Sequence, residues 1–263
     1  METKVVVITG ASSGVGASLA KQLSNEGHQL VLGARRSTEL EAVAAACGGK
    51  AIAVPADVTR KHDVESLMKA ALEKHGRVDV WVNNASVTSG KRVADLEESE
   101  IDRVFGVNFK GAVFGAQAVI PHFIQRGSGH LINVGCFFGR VPLGPARVAY
   151  NASKAALDVL TADLRMEITQ AHPQIEISLV LPGPIADSGS DKLPLYPGVN
   201  LQSADEIADT IAGVIEAPRR EVYSVPFLKA LARRYHDDVD EFEAGMAQPL
   251  LRAPMLRPPP RPE

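Results

Sequence analysis

The chain of 263 residues predicts a doubly wound α/β fold. Three observations lead there. Short β-branched runs alternate with longer helical patterns, these runs are nearly all apolar, and the first of them feeds a glycine-spaced turn followed by a helix. A strand covered by helices on both faces loses the in–out alternation of a half-exposed strand. Strands that alternate with helices build a parallel sheet with helices on both sides.

The strand candidates are Val5-Val6-Val7-Ile8, Gln29-Leu30-Val31-Leu32, Ala51-Ile52-Ala53-Val54, Val78–Val82, His130–Val134, Ile175–Leu181 and Glu221–Val225. Each is short, apolar and bounded by turn formers. Helix candidates lie between them at 14–26, 38–46, 61–75, 99–125, 148–170 and 203–216. The last opens on Ser203 with Glu206 three residues on, the spacing of a capping box. We read residues 1–226 as one dinucleotide-binding and catalytic domain and 227–263 as a C-terminal helical and Pro-rich extension. That extension is mixed in charge from Phe227 to Glu243 and Pro-rich from Pro249 to Pro262, where a helix cannot continue. Two readings stand for it: a short helix with a loose tail, or a helical face of Phe227, Leu228, Leu231 and Tyr235 that docks on a neighbouring subunit or over the active site.

Composition narrows the function. The chain is 45% hydrophobic and 22% charged with a net charge of −3, so it carries no basic footprint for nucleic acid. Cys47 and Cys136 are far apart, which suits a reducing compartment better than a disulfide scaffold. The seven His form no metal-ligand spacing. No apolar run approaches the roughly 20 residues of a membrane span, and strand-like sequence begins at Lys4, leaving no room for a cleaved signal. The expectation is a cytoplasmic protein without a metal.

The segment Thr9-Gly10-Ala11-Ser12-Ser13-Gly14-Val15-Gly16 joins the first strand to the first helix. Backbone N–H groups and the positive helix end meet there, and glycine lets a pyrophosphate approach the chain. Gly10, Ser12, Ser13, Gly14, Val15 and Gly16 are therefore candidate cofactor contacts; the plainer alternative is a tight turn only. At the end of the second strand, where an acidic residue recognises the ribose of NAD, stand Arg35 and Arg36. Guanidinium groups suit the extra phosphate of NADP, so NADP (as NADPH) is preferred to NAD, unless both arginines are simply solvated. Tyr150 and Lys154 are four residues apart and share a helix face, as a proton-moving pair needs.

Gly10-x-x-x-Gly14-x-Gly16, Asn83-Asn84-Ala85, Asn108 and Tyr150-x-x-x-Lys154, in this order, strongly resemble the short-chain dehydrogenase/reductase family over about residues 4–225. The resemblance implies a Rossmann-like sheet in the order 3-2-1-4-5-6-7 and a homodimer or homotetramer built on the helices at 99–125 and 148–170. By the same resemblance Asp57 and Val58 hold the adenine end, Asn84 and Ala85 line the ribose, and Pro182, Gly183 and Ile185 border the nicotinamide. Tyr150 moves the proton at the substrate oxygen, Lys154 binds the nicotinamide ribose, and Asn108 holds a relay water. A Lys cation near a phenol that titrates near pH 10 is expected to bring that value down.

Several positions depart from the family pattern. Where a Ser orients the substrate carbonyl, Leu131-Ile132-Asn133-Val134-Gly135-Cys136 offers Cys136, and the stretch from there to Tyr150 is one residue longer. A thiol donates weakly, and losing one donor at a developing oxyanion costs on the order of 10²–10³ in rate. Cys136 is thus a substitute donor, an incidental small residue or a reactive thiol; the last lacks a local His or second Cys to lower its pKa. Ser86 replaces the Gly that commonly follows Asn-Asn-Ala, and Ala186-Asp187-Ser188 replaces a Thr near the carboxamide. Leu193, Pro194, Leu195 and Tyr196, with Phe137, Phe138, Val141 and Leu143, suggest a pocket for a hydrophobic ketone or secondary alcohol, although core packing is the commoner role for each singly.

Two rival functions remain. Gly10-Ala11-Ser12-Ser13-Gly14 matches the Gly-x-Ser-x-Gly elbow of hydrolases, but no earlier strand and loop could supply the second oxyanion donor. The stronger rival is an NADP-binding protein with weak or lost catalysis because of Cys136.

Overall fold

The computed structural model describes residues 2–143, 146–186 and 200–251, with side chains described through Gly245. Among the described residues, seven parallel strands form one sheet in the order β3-β2-β1-β4-β5-β6-β7. They are β1 (Val5–Thr9), β2 (Gln29–Ala34), β3 (Ala51–Pro55), β4 (Val80–Asn83), β5 (Gly129–Val134), β6 (Ile175–Leu181) and β7 (Glu221–Tyr223). The expected order is therefore present. β1 and β4 are buried along their whole length, as their unbroken apolar sequences require.

The helices are α1 (Gly14–Asn25), α2 (Ser37–Ala46), α3 (Lys61–His75), α4 (Glu98–Phe105), α5 (Gly111–Arg126), α6 (Val148–Ile168), α7 (Ala204–Glu216), α8 (Pro226–Asp237) and α9 (Val239–Leu251). One face of the sheet packs Val6, Ile8 and Leu32 against Leu19, Leu23 and Ile211 of α1 and α7. The other packs Val7, Trp81 and Leu131 against Leu67 of α3 and Val119 and Phe123 of α5. α7 opens with the expected capping box: the Ser203 hydroxyl accepts from the Glu206 N–H at 3.2 Å, and the Glu206 carboxylate accepts from the Ser203 N–H at 2.7 Å.

Two expectations need correction. The helix predicted over 99–125 is interrupted by a π-helical turn, Gly106–Lys110, which separates α4 from α5 and carries Asn108. Periodicity cannot reveal one residue inserted into a helical ladder. Among the described residues the C-terminal region holds two helices rather than one, and α9 runs to Leu251, past Pro249. A proline so near a helix end forfeits only the single bond to the carbonyl four residues back. The rest of the Pro-rich tail lies outside the described residues.

In an open parallel sheet, ligands bind beyond the carboxyl ends of the strands where the strand order reverses. Here β1 pairs with β2 on one side and β4 on the other, so the reversal falls between β1 and β4. The loops carrying Gly10–Gly14 and Asn84–Ser86 leave these two strands.

Candidate active site

A cavity of about 800 Å³ opens at that point, and Gly10, Arg36, Asn84, Tyr150, Lys154 and Gly183 all line it. Its floor is the junction of β1 and β4. Gly10 has φ +69°, and a Cβ there would stand 2.6 Å from the Cα of Ala85. A Cβ at Gly16 would stand 2.5 Å from the Gly10 carbonyl oxygen. Side chains are excluded at both positions because the backbones already touch. Asn84 clamps the junction by donating to the carbonyls of Thr9 at 2.9 Å and Gly10 at 3.3 Å. The Thr9 hydroxyl accepts from the N–H groups of Asn84 and Ala85 at 3.0 and 3.1 Å.

The first turn of α1 is left open to an anion. Ser13 occupies the cap position without capping, because its hydroxyl accepts from Arg36 Nη2 at 2.6 Å, and the first turn holds no acidic residue. The same Nη2 reaches the Ser12 hydroxyl at 3.0 Å. Free N–H groups, the helix dipole and a guanidinium thus converge on one spot. Arg36, not Arg35, spans the turn; the charge of Arg35 acts instead on Asp57. Burial pushes the Asp57 carboxyl up, but hydrogen bonds from the Thr59 N–H and hydroxyl, with the Arg35 charge, hold it below the usual carboxylate range. Val15, Val58 and Ile185 also line the cavity.

At the other end, the start of α6 presents Tyr150 and Lys154, both buried. Lys154 Nζ donates to the Val134 carbonyl at 2.8 Å and lies 5.8 Å from the Tyr150 ring centroid. The Cys136 thiol and the Ser86 hydroxyl lie close enough to the phenol to act on it in opposite senses, Cys136 opposing its ionisation and Ser86 favouring it. Burial, reinforced by Cys136, raises Tyr150 well above its ordinary value, and burial lowers Lys154 to about 8. The expected lowering of Tyr150 by the Lys cation is therefore not what this arrangement produces. Desolvation penalises phenolate and ammonium alike, and for the phenol it outweighs the attraction of nearby positive charge.

Asn108 is buried, and its amide is saturated by protein. Its Oδ1 accepts from the Val87 N–H at 2.8 Å and the Ser86 hydroxyl at 3.2 Å, and its Nδ2 donates to the Val87 carbonyl at 3.0 Å and the Ser153 hydroxyl at 2.9 Å. All four of its hydrogen-bonding positions are used. Cys136 is buried, and burial pushes its thiol up, so the sulfur is a neutral thiol at pH 7.

One feature escaped the sequence, and a second was left open by it. Arg140 Nε lies 2.6 Å from Asp158 Oδ2, and its Nη2 lies 2.7 Å from Glu221 Oε2, which fixes the 3-10 turn Phe137–Gly139 against α6 and β7. Burial raises Asp158 to about 6. Its position one turn beyond Lys154 was readable; its partner was not. The second feature is α8 and α9, whose Leu228, Leu231 and Phe242 pack with Cys136, Phe137, Phe138 and Tyr150 in one apolar cluster. Of the expected face, Leu228 and Leu231 are buried and Tyr235 is half-buried, but Phe227 points away and is 41% exposed. Val141 and Leu143 belong to the same cluster. Asp187, Ser188, Leu193, Pro194, Leu195 and Tyr196 lie outside the described residues.

Ser12 stands on Arg36, and no histidine is among the described residues lining the cavity, so a hydrolase elbow has no base there. Among the described residues no cluster of His, Cys, Asp or Glu could hold a metal ion, and no helix is long and apolar enough to cross a membrane.

A glycine cradle at the switch point of a parallel sheet, with a Tyr and Lys facing it, defines a dinucleotide-linked oxidoreductase. The chain belongs to the short chain dehydrogenase family, whose model matches residues 4–193. It is 34% identical over 244 residues to the uncharacterized oxidoreductase YxnA of Bacillus subtilis, covering 88% of this chain and 68% of that protein. Among solved structures it is similar to a short chain dehydrogenase/reductase from Burkholderia phymatum in complex with NAD (TM-score 0.82, 25% identity, 91% of this chain and 95% of that one). It is also similar to the alcohol dehydrogenase of the archaeon Thermococcus sibiricus complexed with 5-hydroxy-NADP (TM-score 0.74, 28% identity, 84% and 96%).

Proposed function

We propose that this chain is an NADP-dependent oxidoreductase acting on a hydrophobic ketone or secondary alcohol, with Tyr150 as the acid and base. The observation that carries this reading is the single cavity shared by the Arg36-flanked helix end and the buried Tyr150–Lys154 pair. The residues fit the cofactor: side chains are absent where a pyrophosphate must approach, and Ser12, Ser13 and Arg36 are grouped where an added phosphate would sit. Bound there, the nicotinamide supplies or takes up a hydride.

Tyr150 gives its proton to the carbonyl oxygen in reduction and takes it back in oxidation. Its high resting titration keeps the phenol protonated at neutral pH, ready to act as an acid. Lys154 holds the cavity end of β5 through Val134 and brings a positive charge to 5.8 Å from the centre of the phenol ring. Because the Asn108 side chain is saturated, a relay water at that residue would rest on the backbone of the π-helical turn. Cys136, Phe137, Phe138 and the covering helices form an apolar wall that favours a hydrophobic substrate. Exposed Val159 and Met166 on α6 give an apolar face for a homodimer or homotetramer. We read the protein as cytoplasmic.

The test is oxidation of NADPH and NADH across a panel of hydrophobic ketones and diketones, with Tyr150→Phe as control. Turnover specific for NADPH and abolished in the variant is expected. Tight NADPH binding without Tyr150-dependent turnover on any substrate would favour the second reading, a cofactor-binding protein with weak catalysis, which the thiol at Cys136 motivates.

A further inference from the structure

Ser86 stands beside the reacting phenol with a hydroxyl that has somewhere else to go. It lines the cavity with Cys136, Tyr150 and Lys154, and its Oγ donates to Asn108 Oδ1 across a long 3.2 Å. We propose that Ser86 is a catalytic residue whose hydroxyl turns from Asn108 to the Tyr150 oxygen as that oxygen gives up its proton, supplying the hydrogen bond that the Cys136 thiol makes poorly. This rests on the reading of Tyr150 as acid and base.

Three features of the surroundings allow the switch. First, Asn108 Oδ1 keeps the Val87 N–H at 2.8 Å when Ser86 leaves, so no buried acceptor is stranded. Second, the acceptor is fixed relative to the tyrosine: Asn108 donates to the Ser153 hydroxyl at 2.9 Å, and that hydroxyl donates to the backbone carbonyl of Tyr150 at 2.7 Å. The chain Ser86–Asn108–Ser153–Tyr150 therefore closes on the residue it serves. Third, a hydroxyl bonded to a phenolate is charge-assisted and outweighs a long bond to a neutral amide oxygen, whereas the Cys136 thiol is a weak donor. The proton of Ser86 stays on Ser86 throughout; the transferred proton goes from Tyr150 to the substrate oxygen.

The reaction-independent test is an alkaline titration of tyrosinate ultraviolet absorbance on the full chain, with the Tyr150 component isolated by subtracting Tyr150→Phe. Ser86→Ala removes a donor to the phenolate, so the Tyr150 titration moves up by about one to two units, the loss of one hydrogen bond to a charged group. Ser86→Gly gives the same shift with a still smaller residue, guarding against a packing fault, and Ser86→Thr restores the original value. The alkaline rise of alcohol oxidation moves by the same amount in both Ser86→Ala and Ser86→Gly. A Tyr150 titration that stays in place in both Ser86→Ala and Ser86→Gly overturns the proposal, whether or not the protein turns over. Absence of any Tyr150-dependent turnover is a different result: it sinks the oxidoreductase reading and leaves the titration readable.

Discussion

Lys154 donates to the carbonyl of Val134 across 2.8 Å, so one buried cation ties the strand leading to Cys136 to the helix that carries Tyr150. Burial holds that ammonium at about 8, against an ordinary value of 10.5. Between these values the unfolded chain binds the proton more tightly than the folded one, so the Lys154 contribution to stability improves as pH rises from about 8 to 10.5. Lys154→Met should remove that slope in urea unfolding measured across the window, and should cut turnover by about a hundredfold or more.

Arg36 already touches both serines of the cradle, and we expect it to select the cofactor. Arg36→Ala should weaken NADPH about ten- to hundredfold, as expected for one lost charge-assisted contact, and leave NADH nearly unchanged. Titration of nicotinamide fluorescence with each cofactor measures both. Equal losses for the two would assign Arg36 to the cradle itself rather than to the choice between cofactors.

The thiol of Cys136 is buried and its titration is pushed up, which predicts inertness. Incubation of the folded protein with iodoacetamide at pH 7 to 8 should leave Cys136 unmodified by mass spectrometry. Cys136→Ser should change turnover by less than about tenfold, because the Ser86 hydroxyl supplies the phenol oxygen with a hydrogen bond as its proton leaves. A gain of several orders of magnitude would mean that the native site is a crippled one.

Asp158 carries an opposite pH signature. Its folded titration is raised from 3.8 to about 6 by burial, so its stability contribution is complete below about 3.8 and is lost as pH rises through about 6. Asp158→Asn should flatten this fall, which amounts to about 2 to 3 kcal/mol, in urea midpoints compared at pH 4 and pH 7.

Leu228 is buried between the aromatic turn and Gly183, its Cδ1 3.1 Å from where a Cβ on that glycine would stand. Leu228→Ala should cost about 2–5 kcal/mol in thermal or urea unfolding. It should also raise KM for apolar substrates more than it lowers kcat, since the wall loosens while the proton donor stays in place.

The sheet was legible because each strand announces itself. Val5 to Ile8 is too apolar to face water on either side, and the Gly10–Gly16 spacing has few uses other than a cradle. Tyr150 and Lys154 were legible because four residues along a helix fix a shared face. Ser86 was visible as an unusual residue but not as a contact of Tyr150, because 64 residues of chain separate the two and only tertiary packing joins them. The Arg140–Asp158–Glu221 link was hidden for the same reason. Asn108 was found by motif, yet the π-helical turn beneath it leaves no periodic trace. Charge counting suggested a shift for Tyr150 in the wrong direction, since it ignores the desolvation that burial imposes.

Because α8 seals the aromatic turn and rests at Gly183, the site is finished by a segment made after every strand of the sheet. A chain that stopped just past Tyr223 would hold the seven strands and the glycine cradle, while Phe137 and Phe138 would lack the cover of Leu228, Leu231 and Phe242. Quality control during synthesis would then meet a nearly complete fold with one sticky corner, and that corner is where the substrate is expected.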